Sequence, residues 1–376
     1  MDNENPILKK LDRDLKANAG GMLRREVRFL VDRYYQAQRN RIDSEGQIRA
    51  VDQKADEGLT HELISHFHEQ FWVIEKQLQN ALGAYALQHT PGKWMRAVHG
   101  IGPVISAGIL AHVDIERAPH AGNIMRFAGL TNDKWLGSDR AKELVSDLEA
   151  MADDPEDIEE LMRLAEAKLR RQPGSIRKMM LAIFGDEEKN EEDFRPTRAL
   201  LIKTLALRPW CADLKCLLTF KAGESFVKGQ NSDKDFYGHI FAARKARYTI
   251  ANAEGEYKAD AAAILREKNI SKSTDAYKAY IEGMLPKAHI HARARRYAVK
   301  WFVSDLHLVM YFCRYRELPA LPYVIDHLGH SDYVPPPHLD VVPGLTEAFE
   351  KDPRYKRFLK NAPQIEASNG TDEPQE

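Results

Sequence analysis

The chain has 376 residues, 43% of them hydrophobic, a length and composition that supply cores for two or three domains. No run of 18 or more apolar residues occurs, and the opening "MDNENPILKK" lacks the apolar centre of a signal peptide. Membrane insertion and secretion are therefore not expected, and the cytoplasm is the default. The formal net charge of −1 argues against a nucleic-acid partner only until it is mapped: residues 139–195 carry 17 acids and 10 bases, which leaves the rest of the chain at +6.

From Leu23 the apolar positions Val27, Leu30, Val31, Tyr34, Tyr35, Ile42 and Ile48 step by threes, fours and sevens, with a polar gap at Gln38. After the break "DQKADEGLT", a second stripe runs through Leu63, Phe67, Phe71, Ile74, Leu78, Leu82 and Tyr85. Together they predict an antiparallel helical hairpin. It is either a coiled-coil arm, offering a surface for a homo-oligomer, or a two-helix piece of a globular core.

Pro91 and Gly92 end the arm, and "KWMRAVHGIGPVISAGILAHVD" follows. Gly100-Ile101-Gly102-Pro103 lies between two apolar helical runs, with small Ser106 and Ala107 for close packing, which is the helix-hairpin-helix pattern. The proline sets φ for the first turn of the second helix, and the glycines admit a tight turn, with positive φ expected at Gly102. Amides at that helix start, those of Gly102 and Val104 among them, suit a phosphate. Lys93 and Arg96 are the nearest bases, since Val104, Ile105 and Ser106 carry no charge. The alternative is a purely structural helix turn.

Residues 139–205 read as helical and acidic, with stripes Ala141-Leu144-Val145-Leu148 and Ile158-Leu161-Met162-Ala165-Leu169. "ADDPEDIEE" puts acids in the first turn of the second helix, as the helix dipole favours, and "GDEEKNEEDFRP" reads as a solvated loop. Three further helical stretches follow, of which "HIHARARRYAVKWFVSDLHLVMYFCRYREL" is the most informative. Its early turns carry Arg293, Arg295, Arg296 and Lys300 for solvent or phosphate, while Trp301, Phe302, Leu306, Val309 and Met310 fill a core. No strand-rich region appears, so the fold class is mostly α. The last sixteen residues have four acids and no base and read as a disordered tail.

Other chemistry-bearing residues point to less. Cys211, Cys216 and Cys313 form no CxxC pair and read as reduced, mostly buried thiols. His327, His330 and His338 lack a matching carboxylate or cysteine set for zinc and read as surface or partner residues. His289 and His291 suit either phosphate contact or helix capping, and Glu224 and Asp305 stand as isolated carboxylates. No metal site and no cofactor is evident.

The helical arm, then "VHGIGPVISAGILAHVDIERAPHAGNIMRFAGLT", then the basic "HARARRYAVKWF" helix resembles the C-terminal half of the IS-one-ten (IS-one-sixteen, DEDD) group of bacterial insertion-sequence transposases. The resemblance covers roughly residues 23–135 and 206–312. It implies DNA binding in transposition or recombination of a mobile element, and a catalytic serine shortly after the "AGLxP" segment. Here "AGLTNDKWLGSDR" has Ser138 within about a residue of that position, with Asn132 in place of the proline. Ser138 also precedes Asp139 and an apolar stripe, as a helix N-cap does. The group further implies an RNase H-like domain with four metal-binding carboxylates, yet residues 1–90 lack the strand periodicity it requires. Magnesium enters only if another chain supplies such a domain.

The resulting division is a polar N-terminal segment (1–22), the arm (23–90), a helix-hairpin-helix module (91–138), an acidic helical insertion (139–205), a transposase-like helical domain with the basic helix (206–340) and a C-terminal segment (341–376). The function expected is a transposase-like DNA-binding protein. The alternatives are a serine-dependent strand transferase and a non-catalytic partner-binding scaffold.

Overall fold

The computed structural model describes residues 11–52, 62–131, 135–185, 194–322, 325 and 333–363, which are mostly helical with no strand among them. The histidines at 327 and 330, Asn132, most of the acidic loop after Gly185 and nearly all of the expected tail lie outside the described residues. The chain divides into two compact units, one formed by Met1–Leu130 and Asp213–Glu376, the other by Thr131–Ala212.

In the first unit, α1 (Arg13–Ala17) leads into the arm, α2 (Arg24–Asp52) and α3 (Glu62–Gln88). The arm has two regimes. At its base Val27, Val31, Tyr34 and Ala37 pack with Leu82, Tyr85 and Ala86, all buried. Further out the apolar stripe is interrupted, as the gap at Gln38 foreshadows, by a polar layer. Glu75, only 6% exposed, accepts from Arg41 Nε at 2.5 Å and from Gln38 Nε2 at 3.1 Å. Beyond that layer Ile42, Leu63 and Phe67 remain exposed, so the sequence stripe exceeds the buried one.

The helix pair α4 (Thr90–Ala97) and α5 (Pro103–His112) packs on the base of the arm. Nearly every α5 side chain from Val104 to Ala111 is buried, because its small residues let neighbours close in from all sides. α6 (Ala121–Phe127) follows. After the second unit the chain returns through α11 (Ala212–Cys216), a π-helical stretch Leu217–Ala222, α12 (Gly223–Gly229) and α13 (Phe236–Ala253). α14 (Lys258–Glu267) and α15 (Asp275–Ile281) precede the 29-residue α16 (Lys287–Tyr315). α17 (Leu345–Lys351) and α18 (Pro353–Lys356) close the described chain.

α16 is the spine of this unit. Phe302, Leu306, Val309 and Met310 are buried as its sequence pattern requires, while Trp301 is half-buried. Trp94 of α4 stacks on Phe302 at 5.8 Å, and Phe226 of α12 and Tyr237 of α13 meet the same ring edge-on. Next to this cluster Asp305, which the sequence leaves as an isolated carboxylate, accepts a 2.7 Å hydrogen bond from Tyr237 Oη. Full burial pushes its carboxyl up to about 8. The thiols differ from expectation, since none is buried: Cys216 is exposed and Cys211 and Cys313 are half-buried. His338 differs too, being buried rather than on the surface.

The second unit contains α7 (Gly137–Glu149), α8 (Ile158–Lys168), α9 (Ser175–Phe184) and α10 (Arg198–Ala206). Ala141, Leu144, Val145 and Leu148 share one core with Leu161, Met162, Ala165, Ile176, Met180, Leu201 and Leu205. Asp157 caps α8 by accepting from Glu159 N at 2.9 Å, with Glu159 and Glu160 in the first turn. Buried Glu166 accepts from the amides of Gly174 and Ile176 at the start of α9. These four acids thus serve helix starts.

A neutral carboxyl in the folded core and an ionised one in the unfolded chain give a defined pH signature. Between about pH 4 and pH 8 the unfolded chain loses the Asp305 proton while the folded chain keeps it, so this group's contribution to stability falls as pH rises. Asp305→Asn retains an acceptor for Tyr237 and cannot ionise. Urea titrations from pH 4 to 9 are expected to show the variant losing less stability than the parent, with a gap exceeding ~1 kcal/mol by pH 8.

Candidate nucleic-acid interface

The turn between α4 and α5 is closed by two hydrogen bonds, from Ile101 N to Val98 O at 3.1 Å and from Arg96 Nη1 to Ile101 O at 3.0 Å. Arg96 therefore braces the turn. The two glycines divide their work differently from the sequence expectation: Gly100 has φ of +80°, whereas Gly102 is extended at φ −77° and ψ 173°. The carbonyl of Gly102 must point back to accept from Ser106 N and Ser106 Oγ, and an extended N-cap achieves this without a left-handed residue. The reversal is instead made at Gly100, where a Cβ would also come within 3.0 Å of Ser225 Cβ.

Pro103 is the first residue of α5, and the side chain of Val104 is buried. Only the Val104 and Ile105 amides face the helix start, and neither has an acceptor among the described residues. A Cβ on Gly102 would meet open space, so this start is accessible. Lys93 is exposed one turn before the hairpin.

α12 joins the hairpin to the basic helix. Gly223 lies so close to α16 that a Cβ would sit 3.0 Å from both Arg295 Cγ and Val299 Cγ2. Glu224 forms an ion pair with Arg295, Ser225 lies against Gly100, and Gly229 lies against His99. Residues remote in sequence, the hairpin turn and the first turns of α16, thus sit on either side of one short helix.

The four bases singled out on α16 fall into two kinds. Arg293 is tied to Asp260 at 3.1 Å and lies over the rings of Tyr257 and Tyr248, and Arg295, 12% exposed, is held between Glu224 and the ring of Phe220. These two brace the fold. Arg296 is exposed and Lys300 is half-buried. Burial and the neighbouring Arg296 hold the Lys300 ammonium below its usual range.

α13 adds bases that the sequence reading passed over. Arg244 lies 3.9 Å from the Tyr297 ring and 4.9 Å from that of Tyr248, so α13 and α16 share a layer of alternating guanidinium and aromatic groups. Lys245 and exposed Arg247 follow on the same helix. Three bases in the four positions 244–247 are a legible signal, diluted in the sequence by the surrounding alanines. Among the described residues no carboxylate pairs with Lys93, Arg247, Arg296 or Lys300.

His289 and His291 are half-buried, and each ring has a partner within the fold. His289 Nδ1 lies 3.3 Å from Tyr280 Oη, and His291 packs on Phe241. Burial is the main cause that pushes both below the usual imidazole range, so they stay neutral at neutral pH.

Ser138, in the second unit, is exposed in the first turn of α7. The helix begins at Gly137, whose φ of +73° redirects the chain, and Leu136 holds the N-cap position without a side-chain hydrogen bond. Ser138 is therefore not the cap that its sequence context suggests, and no base is hydrogen-bonded to it among the described residues. No family model, curated protein or solved structure matches this chain.

Two measurements separate the turn's components. Gly100→Ala is expected to destabilise the protein by roughly 1–2 kcal/mol, the cost of a left-handed residue with a side chain, whereas Gly102→Ala should stay within about 0.5 kcal/mol of the parent in thermal melts. Ser138→Ala is likewise expected to change stability by less than about 0.5 kcal/mol in denaturant titrations. A covalent protein–DNA adduct on a denaturing gel, present in the parent and missing in Ser138→Ala, would instead identify a nucleophile.

Proposed function

We propose that the protein binds DNA, gripping phosphate with the hairpin amides and with the unpaired bases of α13 and α16, as a transposase-like protein. The observation that carries this reading is the junction at α12, which has the Gly100 turn on Ser225 and the basic helix on Gly223 and Glu224. A surface that combines free helix-start amides, unpaired lysine and arginine, and aromatic rings addresses phosphate and sugar rather than base edges. Sequence preference is accordingly weak. The exposed outer arm, with Leu63, Phe67 and Trp72, offers the surface on which a second copy would assemble. The process, transposition or recombination, comes from the resemblance of the hairpin and basic-helix segments to insertion-sequence transposases.

Gel shifts with duplex and branched DNA across 50–200 mM salt test the reading. Affinity is expected to fall steeply with salt, and Arg296→Gln and Arg247→Gln should each weaken binding to all sequences alike and reduce the salt slope by about 1. Gly102→Val is expected to fold normally, since a Cβ there meets open space, yet bind less tightly, because a branched side chain crowds the approach of a phosphate to this helix start. No binding at low salt, or binding indifferent to salt, would refute the proposal.

A further inference from the structure

Beside the hairpin turn lies a carboxylate–imidazole pair that the reading above does not use. Asp235 is 0% exposed, and its Oδ1 caps α13 by accepting from Gly238 N at 2.8 Å. Its Oδ2 has no hydrogen-bond partner and lies 3.6 Å from Nδ1 of His99, an atom likewise buried without a hydrogen bond. The absence of a side chain at Gly229 makes this approach possible, since a Cβ there would stand 1.9 Å from Oδ2 and 3.1 Å from Nδ1. Yet the His99 side chain as a whole is 35% exposed. With Nδ1 buried, the exposure falls on the rest of the side chain, at the residue that precedes Gly100 in the turn.

We infer that His99 is a phosphate contact of the hairpin, with its ring oriented by Asp235, which acts as a positioning residue. An imidazolium donates from both ring nitrogens, so one N–H turned to the buried carboxylate leaves Nε2–H for an anion. A carboxyl group fully removed from water, with one oxygen lacking a partner, is costly unless a polar group faces it, so Asp235 holds the Nδ1 edge of the ring toward itself. Burial raises the Asp235 carboxyl on balance, against the lowering pull of the Gly238 amide, His99 and His239. From α13 the groups that face the pair are Asp235 itself, His239 and Tyr237; α12 faces it with uncharged Gly229, its own Lys228 being exposed. The ligand is a phosphate of a nucleic-acid backbone, and the inference rests on the DNA-binding reading.

Fluorescence anisotropy with a labelled duplex, from pH 5.5 to 8.5 at fixed ionic strength, tests the assignment. The parent is expected to bind less tightly as pH rises and the Asp235–His99 pair gives up a proton. His99→Gln should weaken binding roughly 3- to 10-fold at the acid end and flatten the profile. Asp235→Asn keeps an oxygen for the Gly238 amide and should weaken binding, because the ring loses the carboxyl that orients it. His99→Lys retains a charge that does not titrate in this range, and should bind tightly with a flat profile. Thermal melts establish that each variant is folded. A His99→Gln protein with the parent's affinity and profile overturns the role of His99 while leaving DNA binding intact, whereas a parent that binds no DNA at any pH takes both readings down.

Discussion

The stack of Trp94 on Phe302 is the contact on which the rest of the first unit depends. Trp94 belongs to the hairpin's first helix, and Phe302 to the spine α16. Phe226 of α12 and Tyr237 of α13 complete the cluster around the same ring. Four helices that carry the candidate interface therefore meet at one aromatic core, and Trp94 Nε1 finds a buried acceptor in the Pro337 carbonyl at 2.8 Å. Truncating a fully buried aromatic of this kind costs about 3–5 kcal/mol, whereas an exposed ion pair contributes roughly 0.2–1 kcal/mol. The relative placement of hairpin and basic helix is thus set by packing, and the charges are carried on a frame that they do not themselves hold together.

This division sorts the bases. Arg96, Arg293 and Arg295 satisfy a turn carbonyl or a carboxylate, and their withdrawal from solvent makes them parts of the frame. Lys93, Arg247 and Arg296 are exposed. A count of positive residues along α16 overstates what a ligand can meet, because on a helix that packs on two sides adjacent arginines point to different neighbours. Arg295 turns to α12 and its successor Arg296 to solvent, about 100° apart around the axis.

The same geometry explains what the sequence made legible. Periodicity locates α2 and α3, since each buries a face on which steps of three and four register, whereas α5, buried nearly all round, shows itself by Pro103 and its small residues instead. Within the hairpin it identified the turn but exchanged the roles of its glycines, as composition does not tell which residue carries positive φ when Gly100 and Gly102 are both free to do so. Ser138 looked like a cap because serine before an acid and an apolar stripe usually is one, but Gly137 starts the helix a residue earlier. Glu224 and Asp305 looked isolated because their partners, Arg295 and Tyr237, lie 71 and 68 residues away. The partnership of His99 with Asp235, across a span of more than a hundred residues, left no local trace at all.

The π-helical stretch Leu217–Ala222 shows how the arm, hairpin and spine act as one support. Widening the helix here buries Leu217, Leu218, Thr219 and Ala222 while turning Phe220 and Lys221 outward to opposite neighbours. Lys221 Nζ lies 4.1 Å from the Tyr35 ring on the arm, and Phe220 lies under the Arg295 guanidinium of α16. The distortion leaves Thr219 Oγ1 buried without a partner, an arrangement that a regular helix would avoid. What it supplies is a pair of adjacent side chains reaching the arm on one side and the spine on the other.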